Sequence, residues 1–260
     1  MTVSQRTYFR TFSTIGTVLA LAMTSSAFAN DGNEAKAEGG FYISLLGGVT
    51  SPTDNSFDGV QDPVAPSPGT AGAPASVEVQ FEDEFYGAAA IGYRIPTKVL
   101  GIFQPSVEIE FSRTTPDVSG GSFNGGNQTF GGQFEVNTYS VNYQSEIRWS
   151  DNQTIVPFLG GGIGVADVQA YASYFPNNGI ATAPTFAVTD SDSALSLHSN
   201  IGLTFEINEK FDLNTRVRYQ RVSGLNFDRR FIAGGNDAFN ARLTGDYETT
   251  SFLAGVRYRF

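Results

Sequence analysis

Eleven charged side chains fall within otherwise apolar, alternating runs: Arg94, Glu108, Glu110, Glu146, Arg148, Glu206, Asp212, Arg216, Arg218, Arg257 and Arg259. They are five acids and six arginines. A water-facing surface needs no such balance. An enclosed space does, because an unpaired buried charge costs roughly 3–5 kcal/mol. The chemistry on offer is electrostatic: a closed lumen of ion pairs or, if Glu/Arg pairs exchange, a gate in a narrow pore.

Other candidates for chemistry are weaker. His198 is the only histidine, with Ser196 and Ser199 beside it. A base and a nucleophile need hydrogen-bond reach on a face that a substrate touches. Alternation sets His198 and Ser196 on the polar side and Ser199 on the apolar side, so no catalytic residue is assigned. "GGGIG" at 160–164 lacks a following Gly-Lys-Ser/Thr and does not fit G-x-G-x-x-G. Glycine there makes room for opposing side chains or lets a wall bend. Asp54, Asp58, Asp62, Glu78, Glu82, Asp83 and Glu84 crowd a stretch with no Lys or Arg from 50 to 93. That stretch reads as a solvated acidic segment, with contact to divalent cations as the sharper alternative. Asp190 and Asp192 form a D-x-D well short of a calcium loop. The chain has no cysteine, which excludes a disulfide framework and thiolate metal sites. No metal, cofactor or enzymatic activity is expected, and a net charge of −10 argues against nucleic acid.

The charged positions sit on runs with the strand period. Eight are recognisable: 41–48, 77–95, 103–113, 138–149, 157–167, 194–207, 211–220 and 252–260. The run 77–95 reads as one strand of a single parity, and 130–138 as a change of parity caused by a bulge or an early strand start. Long segments at 50–76, 114–131, 171–192 and 223–245 alternate with short turns at 96–101, 150–154 and 208–210. The layout predicts an all-β fold, an eight-stranded antiparallel up-and-down transmembrane β-barrel with one elaborated end. Residues 1–29 have the basic start, short apolar core and A-x-A site of a secretory signal peptide. Its removal takes away Arg6 and Arg10 and moves the net charge from −10 to −12. Residues 30–39 read as a flexible lead and 40–260 as the barrel domain.

Alternation alone does not tell lipid from a ligand cavity. The mid-strand charges point the polar parity into a lumen. Aromatics near strand ends (Phe41, Tyr93, Phe103, Phe111, Trp149, Phe211, Tyr219, Tyr258 and Phe260) suit two interfacial girdles. "AIGYRI" (90–95), "PFLGGGIGVA" (157–166) and "AGVRYRF" (254–260), together with the terminal Phe, resemble the outer-membrane β-barrel domain family of OmpA-type and opacity-type proteins. The resemblance covers roughly residues 40–260. It implies a Gram-negative outer membrane, contact with its lipid and lipopolysaccharide, and delivery by the barrel assembly machinery. It also implies that Phe260, Tyr258, Val256, Ala254 and Phe252 form the assembly signal. With the chain ending at the barrel, no peptidoglycan-binding domain is expected. The function expected is structural and surface-exposed, with a lumen filled by Glu/Arg pairs; the alternative is a small pore for solutes or apolar compounds. What the long loops bind stays open.

Overall fold

The computed structural model describes residues 39–150 and 152–260. Of two compact units, Met1–Ala35 lies outside the described residues, and the fold below is that of Lys36–Phe260. The expected signal peptide and, save Gly39, the expected lead therefore lie outside the described residues.

Eleven strands rather than eight make up one antiparallel sheet. They are β1 (Gly40–Pro52), β2 (Asn55–Gln61), β3 (Pro74–Phe81), β4 (Glu84–Arg94), β5 (Phe103–Thr114), β6 (Val118–Phe123), β7 (Gln128–Ile147), β8 (Ile155–Pro176), β9 (Phe186–Glu206), β10 (Phe211–Phe231) and β11 (Ala238–Arg259). Pairing runs β1-β4-β5-β7-β8-β9-β10-β11, and β11 returns to β1 with Val256 opposite Leu45. The other three follow as β11-β2-β3-β6.

Those three are continuations of wall strands across short breaks. β1 resumes as β2 after residues 53–54, β3 leads into β4 across 82–83, and β5 resumes as β6 after 115–117. β1 and β2 both pair with β11, one beyond the other, with the register offset by one residue between Thr50↔Ser251 and Phe57↔Gly245. Such an offset swaps the side chains that face inward. The sheet thus has two tiers. The lower holds β1, β4, β5 and the lower parts of β7–β11. The upper holds β2, β3, β6 and the upper parts of the same five.

This corrects the sequence reading in two places and decides between its two alternatives in a third. The run 77–95 is two strands. Val77 and Val79 point into the upper tier, whereas past the break Phe85, Ile91 and Tyr93 point outward in the lower. The long segments are largely ladder rather than loop, because their polar and apolar residues also alternate. Between 130 and 138 there is an early strand start but no bulge, since β7 keeps one register with β8 from Gln128↔Pro176 to Glu146↔Phe158. What changes there is which face is apolar.

In the upper tier the core is inside: Phe57, Val77, Phe134, Val168, Leu225, Phe227, Leu243 and Tyr247 are buried together. In the lower tier the inside is mostly polar, with a small apolar group at Leu46, Tyr86, Ala88 and Leu253, and large apolar side chains such as Leu45, Ile91, Ile109 and Ile201 are exposed. The ladders on both sides of β10 are interrupted. β9 and β10 lose pairing between Ser223 and Arg229, next to Gly224 at φ +77°. There Asp192 accepts the Asn226 N–H at 2.8 Å and Asp190 the Asp228 N–H at 3.1 Å. The D-x-D replaces ladder carbonyls with carboxylates.

Candidate functional site

The inward positions of the lower tier carry the charge network, and all eleven charges proposed from sequence belong to it. β7 places Glu146 at its centre. Arg94 Nη2 from β4 and Arg257 Nη1 from β11 donate to Glu146 Oε1 at 2.9 and 2.7 Å. Arg148 Nη2 donates to Oε2 at 2.7 Å and also to Glu206 Oε1 at 2.5 Å. Arg259 lies 3.0 Å from Asp212, and Arg94 lies 3.8 Å from Asp212 and 3.7 Å from Glu206. One carboxylate therefore serves three guanidiniums, and Glu206 and Asp212 spread the remaining charge.

A second knot lies further up. Arg218 grips Glu110 with two parallel bonds, Nη1 to Oε1 at 2.5 Å and Nη2 to Oε2 at 2.9 Å. Its Nε donates to Asn200 at 2.8 Å and its Nη1 to the Tyr86 hydroxyl at 2.5 Å. Arg216 sits 3.8 Å from Glu110, donates its Nε to Asn214 at 3.1 Å and lies over the Phe158 ring at 5.5 Å. Glu108 extends the first knot: the Tyr42 hydroxyl donates to it at 3.0 Å, Gln144 at 2.5 Å, and Arg257 is 3.8 Å away. Glu108, Glu110, Glu146, Arg216, Arg218 and Arg257 are almost fully buried. Paired and bidentate geometry is what keeps such burial affordable.

Above the knots is a neutral polar layer that the sequence reading did not assemble. Gln220 donates to Thr138 at 3.0 Å and to Ser196 at 2.9 Å, and Ser251 donates to Thr50 at 2.9 Å. Tyr86 was missed too, although its place between outward Phe85 and Gly87 points it inward by parity. His198 faces the lumen and is buried, and neither ring nitrogen has a hydrogen-bond partner. Ser196 accepts from Gln220 rather than pairing with His198. No base–nucleophile pair exists here, and the described residues hold no group of three or more His, Cys, Asp or Glu able to bind a metal. Gly162 has a local reason: a Cβ there would meet Asn142 Oδ1 at 2.2 Å and His198 Nε2 at 2.5 Å. The glycine run in β8 lets side chains from both neighbouring strands fold across it.

The outer face of the lower tier completes the site. Phe41 packs on Tyr93 with ring centroids 4.9 Å apart, Phe211 on Tyr258 at 5.1 Å, and Tyr258 on Phe260 at 5.2 Å, all at the short-turn end. Phe111 and Tyr139, 5.1 Å apart, mark the opposite edge. Between these edges β8 runs from Ile155 to Val165. At about 3.3 Å per residue and a tilt of about 45°, that segment spans roughly 25 Å, the height of an apolar barrel band. Phe252, Ala254 and Val256 share this outward face with Tyr258 and Phe260.

Among solved structures, the outer membrane protein OprG of Pseudomonas aeruginosa is 16% identical, with 88% of this chain and 99% of that one covered and a TM-score of 0.51. Neisserial surface protein A matches at 14% identity over 86% and 99% of the two chains, with a TM-score of 0.40. The outer membrane protease OmpT of Escherichia coli matches at 10% identity over 85% and 97%, with a TM-score of 0.48. Similarity at these identities concerns the fold alone, and of these three OprG alone has a TM-score above 0.5. No curated protein matches the chain. The model of the outer membrane protein beta-barrel domain, however, matches residues 15–260. The chain belongs to that family, which places it in the outer membrane of a Gram-negative bacterium.

Proposed function

We propose that the protein is a non-catalytic integral outer-membrane protein with a structural and surface-exposed role. In this reading the lower tier is an eight-stranded transmembrane barrel whose lumen is closed by its Arg/Glu network. The upper tier projects outside as a folded collar. The observation that carries it is the sharing of Glu146 by Arg94, Arg148 and Arg257 across β4, β7 and β11. A lumen bridged from three walls by short ion pairs has no room to conduct. Residues 1–29 are then the exported signal peptide, 30–39 a lead and 40–260 the barrel domain. Lipid and lipopolysaccharide surround the lower tier. Phe260, Tyr258, Val256, Ala254 and Phe252 are read by the assembly machinery.

Three measurements test this reading. In planar bilayers the folded protein should show no steady conductance; a stable open pore would replace the closed lumen with the transport alternative. An unheated outer-membrane sample should run more compactly on a gel than a boiled one. Deleting Phe260 should lower the inserted yield while sparing the mobility shift of whatever does insert. An unchanged yield would remove the last residue's role.

A further inference from the structure

The upper tier is mostly apolar inside, and a charge enters it at one place. Arg229, near the outer end of β10, points inward, is 2% exposed, and is the one buried charged side chain of that tier among the described residues. It has no carboxylate partner there. Asp228 and Asp237, close in sequence, pair instead with Arg242 at 2.8 Å and Arg230 at 3.2 Å. A buried cation without a counterion is costly, and aromatic faces offset only part of that.

The surroundings leave one approach to the guanidinium. Its carbon lies 3.9 Å from the Phe123 ring centroid and 3.7 Å from that of Phe186, so rings cover its faces. In its plane, Nε donates to the Tyr174 hydroxyl and Nη1 to Asn240 Oδ1. Asn240 is itself fixed, because its Nδ2 donates to Ser67 Oγ and Pro68 O, both at 2.8 Å. Among the described residues Nη2 has no hydrogen-bond partner. The open edge of a planar fork is the geometry that takes an oxyanion end-on. Phe231, 5.5 Å from Phe186, extends the aromatic wall beside it.

We propose that Arg229 is the recognition point for an anionic solute at the outer mouth: a carboxylate carried on an aromatic or short aliphatic body. The carboxylate bonds the Nη1–Nη2 edge and the apolar body lies along Phe186 and Phe231. A lipid headgroup is the wrong source. On the same strand the outward apolar band ends at Tyr219, ten residues below Arg229, so the bilayer surface is a full tier away.

The test is calorimetric titration of the folded, detergent-solubilised protein with phenylbutyrate and with its neutral amide. The carboxylate should bind saturably. The amide, and the Arg229→Gln variant with the carboxylate, should both be weaker by about tenfold or more. Arg229→Lys, which keeps charge without the planar fork, should recover only part of the affinity. Equal affinity for carboxylate and amide, no saturable binding, or unchanged affinity in Arg229→Gln each overturns the proposal. The carboxylate–amide comparison needs no variant, so it decides even if Arg229→Gln fails to fold.

Discussion

Follow β8 upward and the two tiers come apart in chemistry though not in geometry. Its even-numbered residues face inward along its length. In the lower tier its outward residues include Ile155, Leu159 and Ile163, and its neighbours fill the interior with Asn142, His198 and Asn200. From Ala166 upward the inward residues are Ala166, Val168, Ala170 and Ala172, and the outward ones include Asp167, Gln169 and Ser173. No register shift separates the two stretches in either ladder. One backbone thus runs an inverted protein and an ordinary one end to end. The medium outside decides which: lipid wants an apolar exterior and leaves the polar groups to satisfy one another, whereas water does the opposite.

Each tier should therefore fail in its own way. The largest effect belongs to Glu146→Ala, which strips the shared partner from Arg94, Arg148 and Arg257. It should cost about 3–5 kcal/mol in urea unfolding from micelles and raise conductance in planar bilayers. Glu108→Ala should raise conductance less, since Glu108 holds Arg257 only at 3.8 Å. A Glu146→Ala barrel as stable and as tight as the parent would mean that the network is dispensable.

Next comes Leu243→Ala in the upper core. It should cost about 2–5 kcal/mol, as cavities in dry cores do. Amide exchange should quicken in β2, β3 and β6 while β4 and β5 stay protected. Uniform quickening would show that the tiers unfold as one unit and that the contrast is only chemical.

The sharpest comparison uses one strand and one face. Ile163→Arg should cost about 2–4 kcal/mol because it turns a charge toward the bilayer. Gln169→Arg, six residues higher on β8, should stay within about 0.5 kcal/mol. Similar costs at both sites would erase the boundary between tiers.

The smallest effect concerns pH. Burial raises the Asp246 carboxyl's pKa, but the Gly224 N–H at 2.8 Å and its pair with Arg221 outweigh burial and hold it below the usual range. A depressed carboxylate lends stability above the unfolded pKa of about 3.9, and that is lost as pH falls through the folded value. The protection of the Gly224 amide, taken relative to its intrinsic exchange rate at each pH, should therefore fall on acidification, and Asp246→Asn should flatten that response.

Much of the lower tier was legible from parity. Glu108, Glu146, Arg218 and Arg257 stand on the polar side of clean alternations, so their inward direction follows from a period of two. The upper tier was not legible, for a specific reason. Its strands alternate as well, but with the apolar side turned the other way, so Phe130, Phe134 and Val136 looked like a slip in register. The break at 82–83, Glu82-Asp83, carries no strong turn signal, which is why 77–95 read as one strand. Asp190 and Asp192 looked idle because a carboxylate that stands in for a missing ladder carbonyl has no local signature.

By itself the sequence determined the strand period, the balance of charge on the polar parity and the aromatic edges, because these depend on alternation along one chain. Only the tertiary structure decided which carboxylate meets which guanidinium, that three wall positions are broken and resume a tier higher, and that Arg229 lies among rings without a counterion. Those outcomes depend on register between strands distant in sequence, which closing the sheet sets and local pattern does not.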